Sequence, residues 1–265
     1  GVTVYGYGYD LPSAIESAEG ADVVLGHCGD GGQAQELADA VGAPLVQLFH
    51  GGHGMPSHQA ALVVFNSQAS KRSCGWDGPS VVCHPYTNPI VHQSDPGEMV
   101  TLVNCSKDKG ALTAMACAAR RPSHQWLAVL GGHGEQVKIG RPNVSVMAPT
   151  QHMRRDVWPK TRILVMPSRR ETWGMVGVEA LASGIPVIAS DLPGLRESLG
   201  SAGIFVPPTD LNGWLAALDH LHDPVEWSKA STAALARSRA LAADDHRPRF
   251  VEALERVGDR CTSPS

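Results

Sequence analysis

The chain predicts an α/β protein of two doubly wound domains, and three observations carry that expectation. Short apolar runs rich in Val, Leu and Ile alternate with longer segments of helical periodicity along the 265 residues. Several of those runs are apolar at consecutive positions, which suits strands buried on both faces of a parallel sheet. A polar break at residues 88–97, carrying Pro89, Ser94, Asp95 and Pro96, divides the series in two.

In chain order, the first series predicts strands at 2–5, 23–26, 45–49, 62–66 and 81–83, with helices at 13–19, 32–41 and 67–74. The second predicts strands at 100–104, 126–130, 144–147, 163–166, 187–189 and 204–206. A helix over 110–120 follows its first strand, and a crossover helix over 173–183 is ended by Gly184 and followed by Pro186. Residues 211–222 and 226–260, rich in Ala and Leu with charges interleaved, read as closing helices. The expected domains are therefore 1–97 and 98–265.

Composition supports this. A 43% hydrophobic content supplies full cores. There is no run of about 18 apolar residues to span a membrane, and no secretory signal is visible. The six cysteines lack paired spacing, which points to a reducing, cytoplasmic home. Charge divides unevenly: residues 1–98 hold Lys71 and Arg72 against ten acids, while 99–265 hold twenty bases and sixteen acids. Chance surface variation accounts for that as well as a basic half that attracts a nucleotide diphosphate.

Residues 162–191 are the most informative. Glu171 and Glu179 stand with seven residues between them, Glu171 in the loop entering the crossover helix and Glu179 about two helical turns later at ~3.6 residues per turn. Gly174 lets a ligand approach backbone closely, and a helix N-terminus offers unpaired N–H groups and positive potential. A diphosphate suits such a loop, and a carboxylate at 179 suits a ribose diol.

This stretch resembles the Glu-x7-Glu signature of retaining GT-B glycosyltransferases, family GT4. The likeness includes Pro167-Ser168 before Glu171, Trp173-Gly174 after it, and the run from Val178 through Ser190 to Leu192-Pro193-Gly194. It implies the GT-B fold, two Rossmann-like domains facing a cleft. It further implies that Glu179 binds the donor ribose, that the backbone of Thr172, Trp173, Gly174 and Met175 binds the diphosphate, and that Glu171 reaches the transferred sugar. The segment 100–110 resembles the first strand and loop of a GT4 donor domain, which assigns Lys109, and more weakly Lys107, to the donor phosphates. Gly131 and Gly132 resemble the glycine-rich loop after the second donor-domain strand, though glycines there equally suit a plain turn. Met147 to Pro149 resembles the strand end bordering the base, and Asp210 reads as a helix cap.

In the first series, Leu45 to Gly51 ends a strand in His50-Gly51, and the resemblance makes His50 a contact of the transferred sugar. His53 and His58 read as ordinary histidines. Gly29 to Ala34 carries Gly-x-Gly-x-x-Ala, one form of a dinucleotide fingerprint, yet the acid expected at the end of the next strand is replaced by Phe49-His50. A GT4 first domain normally opens with a strand, a Gly-containing loop and a helix ahead of the strand that residues 2–5 resemble, so the first domain is expected to be reduced or truncated.

The resulting expectation is a metal-independent hexosyltransferase that moves a hexose from UDP or GDP to an acceptor hydroxyl with retention, using His50 and Glu171 at the sugar. A sugar-nucleotide epimerase, a phosphorylase or a silent nucleotide-binding protein are the alternatives. The acidic first domain disfavours nucleic acid and anionic membrane, leaving a small molecule or a protein as acceptor.

Overall fold

A computed structural model describes residues 10–29, 32–51, 55–132 and 134–262. The chain packs into two compact units, Gly1–Pro85 with Asp245–Ser265, and Tyr86–Asp244. The strand expected at 2–5 and His53 lie outside the described residues.

The first unit holds a four-stranded parallel sheet in the order β1-β2-β3-β4, made of β1 (Val24–His27), β2 (Leu45–Phe49), β3 (Leu62–Phe65) and β4 (Ser80–Val82). Helices α1 (Leu11–Ala18), α2 (Gln33–Val41) and α3 (Gln68–Cys74) accompany it. Helix α1 begins earlier than expected because the Asp10 side chain accepts from the Ser13 N–H at 3.1 Å, with a proline in the first turn. One face of the sheet packs through Leu45, Phe49, Val63 and Phe65 against Ala14, Leu37 and Ala38.

The second unit opens with α4 (Pro89–His92), followed by β5 (Met99–Val103), α5 (Ala111–Arg120), β6 (Trp126–Val129), β7 (Val144–Met147), α6 (Met153–Asp156) and β8 (Thr161–Met166). It continues with α7 (Met175–Ala182), β9 (Val187–Ser190), α8 (Pro193–Leu199), β10 (Gly203–Val206), α9 (Leu211–His222) and α10 (Pro224–Ala243). Its six strands are all parallel in the order β10-β9-β8-β5-β6-β7, so β5 and β8 are central neighbours. Two cores cover the two faces. One gathers Leu102, Ala114, Trp126, Trp214 and Leu218; the other gathers Trp158, Leu164, Leu181, Ile185 and Leu195. Burial of this kind contributes about 25 cal/mol per Å² of apolar surface, an upper estimate when referred to an extended chain.

Three expectations need correction. The boundary falls near 85 rather than 97, because the supposed linker contains α4, which Asn88 caps through the Ile90 N–H at 3.0 Å. The tail is not one helix: α10 ends before Asp244, and α11 (Arg247–Thr262) belongs to the first unit, where Phe250, Ala253, Leu254 and Val257 cover Val46, Leu62 and Val64. The crossover helix starts at Met175, not 173, since Gly174 sits at φ 79° and cannot extend a right-handed helix. The spacing of Glu171 and Glu179 is therefore loop plus one helical turn, rather than two turns.

Candidate functional site

The carboxyl ends of the central strands β5 and β8 each hand over to a helix through a glycine. Gly110 precedes α5 and Gly174 precedes α7, both in the left-handed region and both without a side-chain cap. Two neighbouring strands thus lead to two uncapped helix N-termini, where N–H groups and helix dipoles favour an anion. Neither glycine is replaceable at no cost. A Cβ on Gly110 would collide with the Pro167 carbonyl oxygen, and one on Gly174 would stand 2.5 Å from Leu195 Cδ2.

Lys109 lies at the first of these turns and Glu171 just before the second. Lys109 Nζ donates to Glu171 Oε2 at 2.6 Å, with the Glu171 side chain 14% exposed and that of Lys109 36% exposed. The structure therefore brings together the two residues expected at the phosphates and at the sugar. Glu179 has a different partner: its Oε2 stands 3.9 Å from His92 Nδ1. Burial pushes the Glu179 carboxyl up to about 7 and holds the His92 imidazole below its ordinary value.

The remaining candidates divide. Thr172 and Met175 are half-buried in the turn, while Trp173 is 2% exposed, so its side chain is a core anchor and backbone alone can meet a ligand there. Lys107 is exposed and lines a cavity of about 380 Å³ with Gly110, Pro167, Arg169, Thr113 and Thr209. Gly131 donates its N–H to Gln136 Oε1 at 2.8 Å, and Gln136 Nε2 reaches Asn104 Oδ1 at 3.4 Å. This network holds the glycine-rich segment as a turn, with Gly132 next in it. Asp210 caps α9 by accepting from the Gly213 N–H at 2.9 Å.

In the first unit His50 follows β2, and its ring stacks on that of His27 at 5.1 Å between centroids. The parallel register pairs His27 with Leu48, which brings the two strand ends level. Burial, and then the neighbouring His27, lowers the His50 pKa, which keeps the ring neutral at neutral pH. Sequence reasoning missed His27, His92, Asn104 and Gln136. His92 alone had a usable signal, the Asn88-Pro89 helix start inside the supposed linker.

Residues 108–223 match the family model described as glycosyl transferases group 1. That segment resembles a group 1 glycosyltransferase domain. It contains Lys109, Glu171, the turn through Gly174, and Glu179. Among curated proteins, a D-inositol 3-phosphate glycosyltransferase of Paenarthrobacter aurescens is 39% identical over 66 residues, 24% of this chain and 16% of the relative. The O-antigen chain mannosyltransferase RfbU of Salmonella typhimurium is 37% identical over 65 residues, 24% of this chain and 18% of that one. Both alignments span less than a fifth of the relative's length.

Solved structures extend the likeness to nearly the whole chain. A sucrose-phosphate synthase from Thermosynechococcus elongatus superposes with TM-score 0.74 at 21% identity, over 93% of this chain and 77% of that one. Anabaena Alr3699/HepE in complex with UDP-glucose gives TM-score 0.74 at 17% identity, over 96% and 82%. The fold is GT-B. The matched segment 108–223 lies in the second unit, whose central strands present the Lys109–Glu171 pair.

Proposed function

We propose that this chain transfers a hexose from a nucleoside diphosphate sugar to an acceptor hydroxyl with retention at the anomeric carbon. The observation that carries the reading is the Lys109–Glu171 ion pair beside two uncapped helix N-termini, with the half-buried Glu179 one turn into the second helix. The family match over this segment and the UDP-glucose named for the Anabaena structure support it.

In this reading the diphosphate lies against the amides at Thr172, Trp173, Gly174 and Met175, and Lys109 turns from Glu171 to the phosphate oxygens. Glu171, released from its ion pair, accepts from hydroxyls of the transferred sugar. Glu179 accepts from the ribose diol. The acceptor oxygen bonds to the anomeric carbon on the face the phosphate leaves, the carbon–phosphate-oxygen bond breaks, and the acceptor proton passes to the departing phosphate. Fixed dipoles and Lys109 stabilise the charge that develops there, so divalent metal is not required. The donor is a UDP or GDP hexose, and the acceptor a small molecule or protein side chain.

The test is mass spectrometry of products from a panel of UDP, GDP and ADP sugars with EDTA present, coupled to NMR of the anomeric linkage. A retained linkage formed without metal is the expected outcome. Inverted product, or transfer abolished by EDTA, would contradict it.

A further inference from the structure

The cavity that Lys107 lines has no part in the donor reading. Its volume is about 380 Å³, and it lies among the start of α5, the chain after β8 and the turn before α9, all in the second unit. Lys109, Glu171, Glu179 and the turn from Thr172 to Met175 do not line it. Lys107 does, two residues before Lys109, and so does Arg169, two residues before Glu171. Each of the two loops thus gives one charged side chain to the Lys109–Glu171 pair and one to the cavity.

The polar groups of the cavity are uncommitted. Among the described residues, neither Lys107 nor Arg169 has an ion-pair partner, and neither the Thr113 nor the Thr209 hydroxyl makes a hydrogen bond. The acids beside them in sequence are engaged elsewhere: Asp108 pairs with Arg170 at 3.5 Å, and Asp210 accepts from the Gly213 N–H at 2.9 Å. Pro208 and Leu211 add an apolar wall.

Ser190 supplies an independent sign. It ends β9, the strand between β8 and β10, which lead into Pro167 and Pro208 of the cavity lining. Ile188 belongs to the core built with Ala114 of α5 and Trp214 and Leu218 of α9, so alternation along β9 puts Ser190 on that same face. Its hydroxyl is fully buried and has no hydrogen-bond partner among the described residues, which folded proteins rarely tolerate.

We infer that this cavity is a second binding site, for a small organic phosphate monoester: Lys107 and Arg169 hold the phosphate, the threonine hydroxyls donate to it, and the apolar wall carries the organic body. The site is distinct from that of the donor diphosphate and does not depend on it.

The chemistry selects this class. A phosphate monoester is close to a dianion at neutral pH and presents three acceptor oxygens. A guanidinium takes two of them as a fork, and an ammonium meets the remainder as a point charge. A carboxylate, with one charge, would leave one of the two cations unmatched. Cavities of about 300–1,000 Å³ suit organic ligands, so a bare inorganic anion would leave most of this one unfilled. The Arg169 N–H donates to the Asp108 carbonyl at 2.8 Å, and the Gly110 N–H to that of Lys107 at 3.1 Å. The backbone that carries the two cations is therefore fixed by the fold, which lowers the ordering cost of binding.

The experiment is titration of the full chain with inorganic phosphate, phenyl phosphate and glycerol phosphate, by calorimetry and by NMR of the threonine methyls, with and without excess UDP or GDP. Both monoesters should bind several-fold tighter than inorganic phosphate, shift Thr113 and Thr209, and bind equally well with either nucleotide present. Arg169→Gln and Lys107→Gln, both at exposed positions, should each weaken monoester binding by about tenfold, the scale of one lost charge-assisted hydrogen bond. Displacement by a nucleotide, or shifts confined to Thr172, would place the anion at the donor turn and overturn the inference while supporting the donor reading. Monoester binding that neither variant weakens, or no binding of either monoester, would overturn it as well. The variants test the cavity even if neither nucleotide binds, so the two readings fail separately. Glycerol phosphate also separates the two sources of such a ligand. Once bound in the presence of donor sugars, a glycosylated product makes the monoester the acceptor, and unmodified recovery makes it an effector.

Discussion

Lys109 and Glu171 satisfy one another at 2.6 Å, and that pairing has consequences for both. Lys109 is kept near the phosphate position, and a half-buried carboxylate is spared the cost of standing without a partner. Lys109→Met should weaken nucleotide diphosphate binding by about 1–3 kcal/mol, the scale for hydrogen bonds to charged groups. Calorimetry checks this, and nucleoside binding should change far less than diphosphate binding. Glu179 is a different case. Its carboxyl lies above its ordinary 4.5, so the protonated form suits the folded protein; the resulting contribution is present below 4.5 and is lost as pH rises through about 7. Replacing it with neutral Gln should therefore stabilise the protein at pH 8 (a mildly basic choice, about one pH unit above the shifted carboxyl). The gain is up to roughly 3 kcal/mol at ~1.4 kcal/mol per pH unit. Denaturant unfolding at pH 8 and again near pH 5 (roughly either side of the Glu179 titration) should show the gain shrinking in acid. The same variant should bind nucleotide less well, a stability–function trade-off.

Among the elements, α7 shows how closely its start is defined. Gly174 at φ 79° turns the chain, and the Trp173 side chain before it is buried at 2% exposure. Gly174→Ala meets both a disfavoured backbone and Leu195, so a destabilisation of roughly 2–4 kcal/mol is expected, with nucleotide binding impaired beyond what unfolding explains. Thermal unfolding with and without UDP separates the two. Apolar periodicity predicted β2 and β7 to the residue, β2 being bounded by Pro44 and His50 and β7 by Asn143 and, two residues beyond it, Pro149. It misplaced the start of α7, because Trp173 continues the apolar pattern although the turn at Gly174 has not yet been made. It also hid α4, whose four residues are too few to show a period. The Lys109–Glu171 pair joins residues far apart in sequence and became visible only once β5 and β8 proved to be neighbours.

At the scale of the whole molecule, the two-unit organisation was legible, while the path of the tail was not. Residues 247–262 read as a continuation of the preceding helix because charges interleave with apolar residues in both, yet α11 covers Val46, Leu62 and Val64 of the first unit. Deleting residues 245–265 should expose β2 and β3, which hydrogen exchange would report as lost protection in the first unit with the second unit little changed. The boundary near 85 also softens the charge contrast, since Asp95 and Glu98 fall in the second unit. Residues 1–85 carry eight acids and two bases, and 245–265 carry four of each, so the first unit has net charge −6 and the second +2. An acidic first unit should gain nothing from counterion release on duplex DNA, and a low-salt titration should show no salt-sensitive binding. Burial pushes the Cys105 and Cys117 thiols up to about 11, which fits apolar core residues rather than nucleophiles. Among the described residues, no helix is long and apolar enough to cross a membrane.

The central claim is that the second unit holds a nucleoside diphosphate sugar between Lys109, Glu171 and Glu179. Calorimetry of the full chain with UDP, GDP and ADP in EDTA, repeated with Lys109→Met and Glu179→Ala, tests it most directly. The expected result is binding of at least one diphosphate by the parent and a loss of about tenfold or more in each variant, the fold-change that corresponds to roughly 1.4 kcal/mol. Binding of none of the three, or binding that neither substitution weakens, would contradict it.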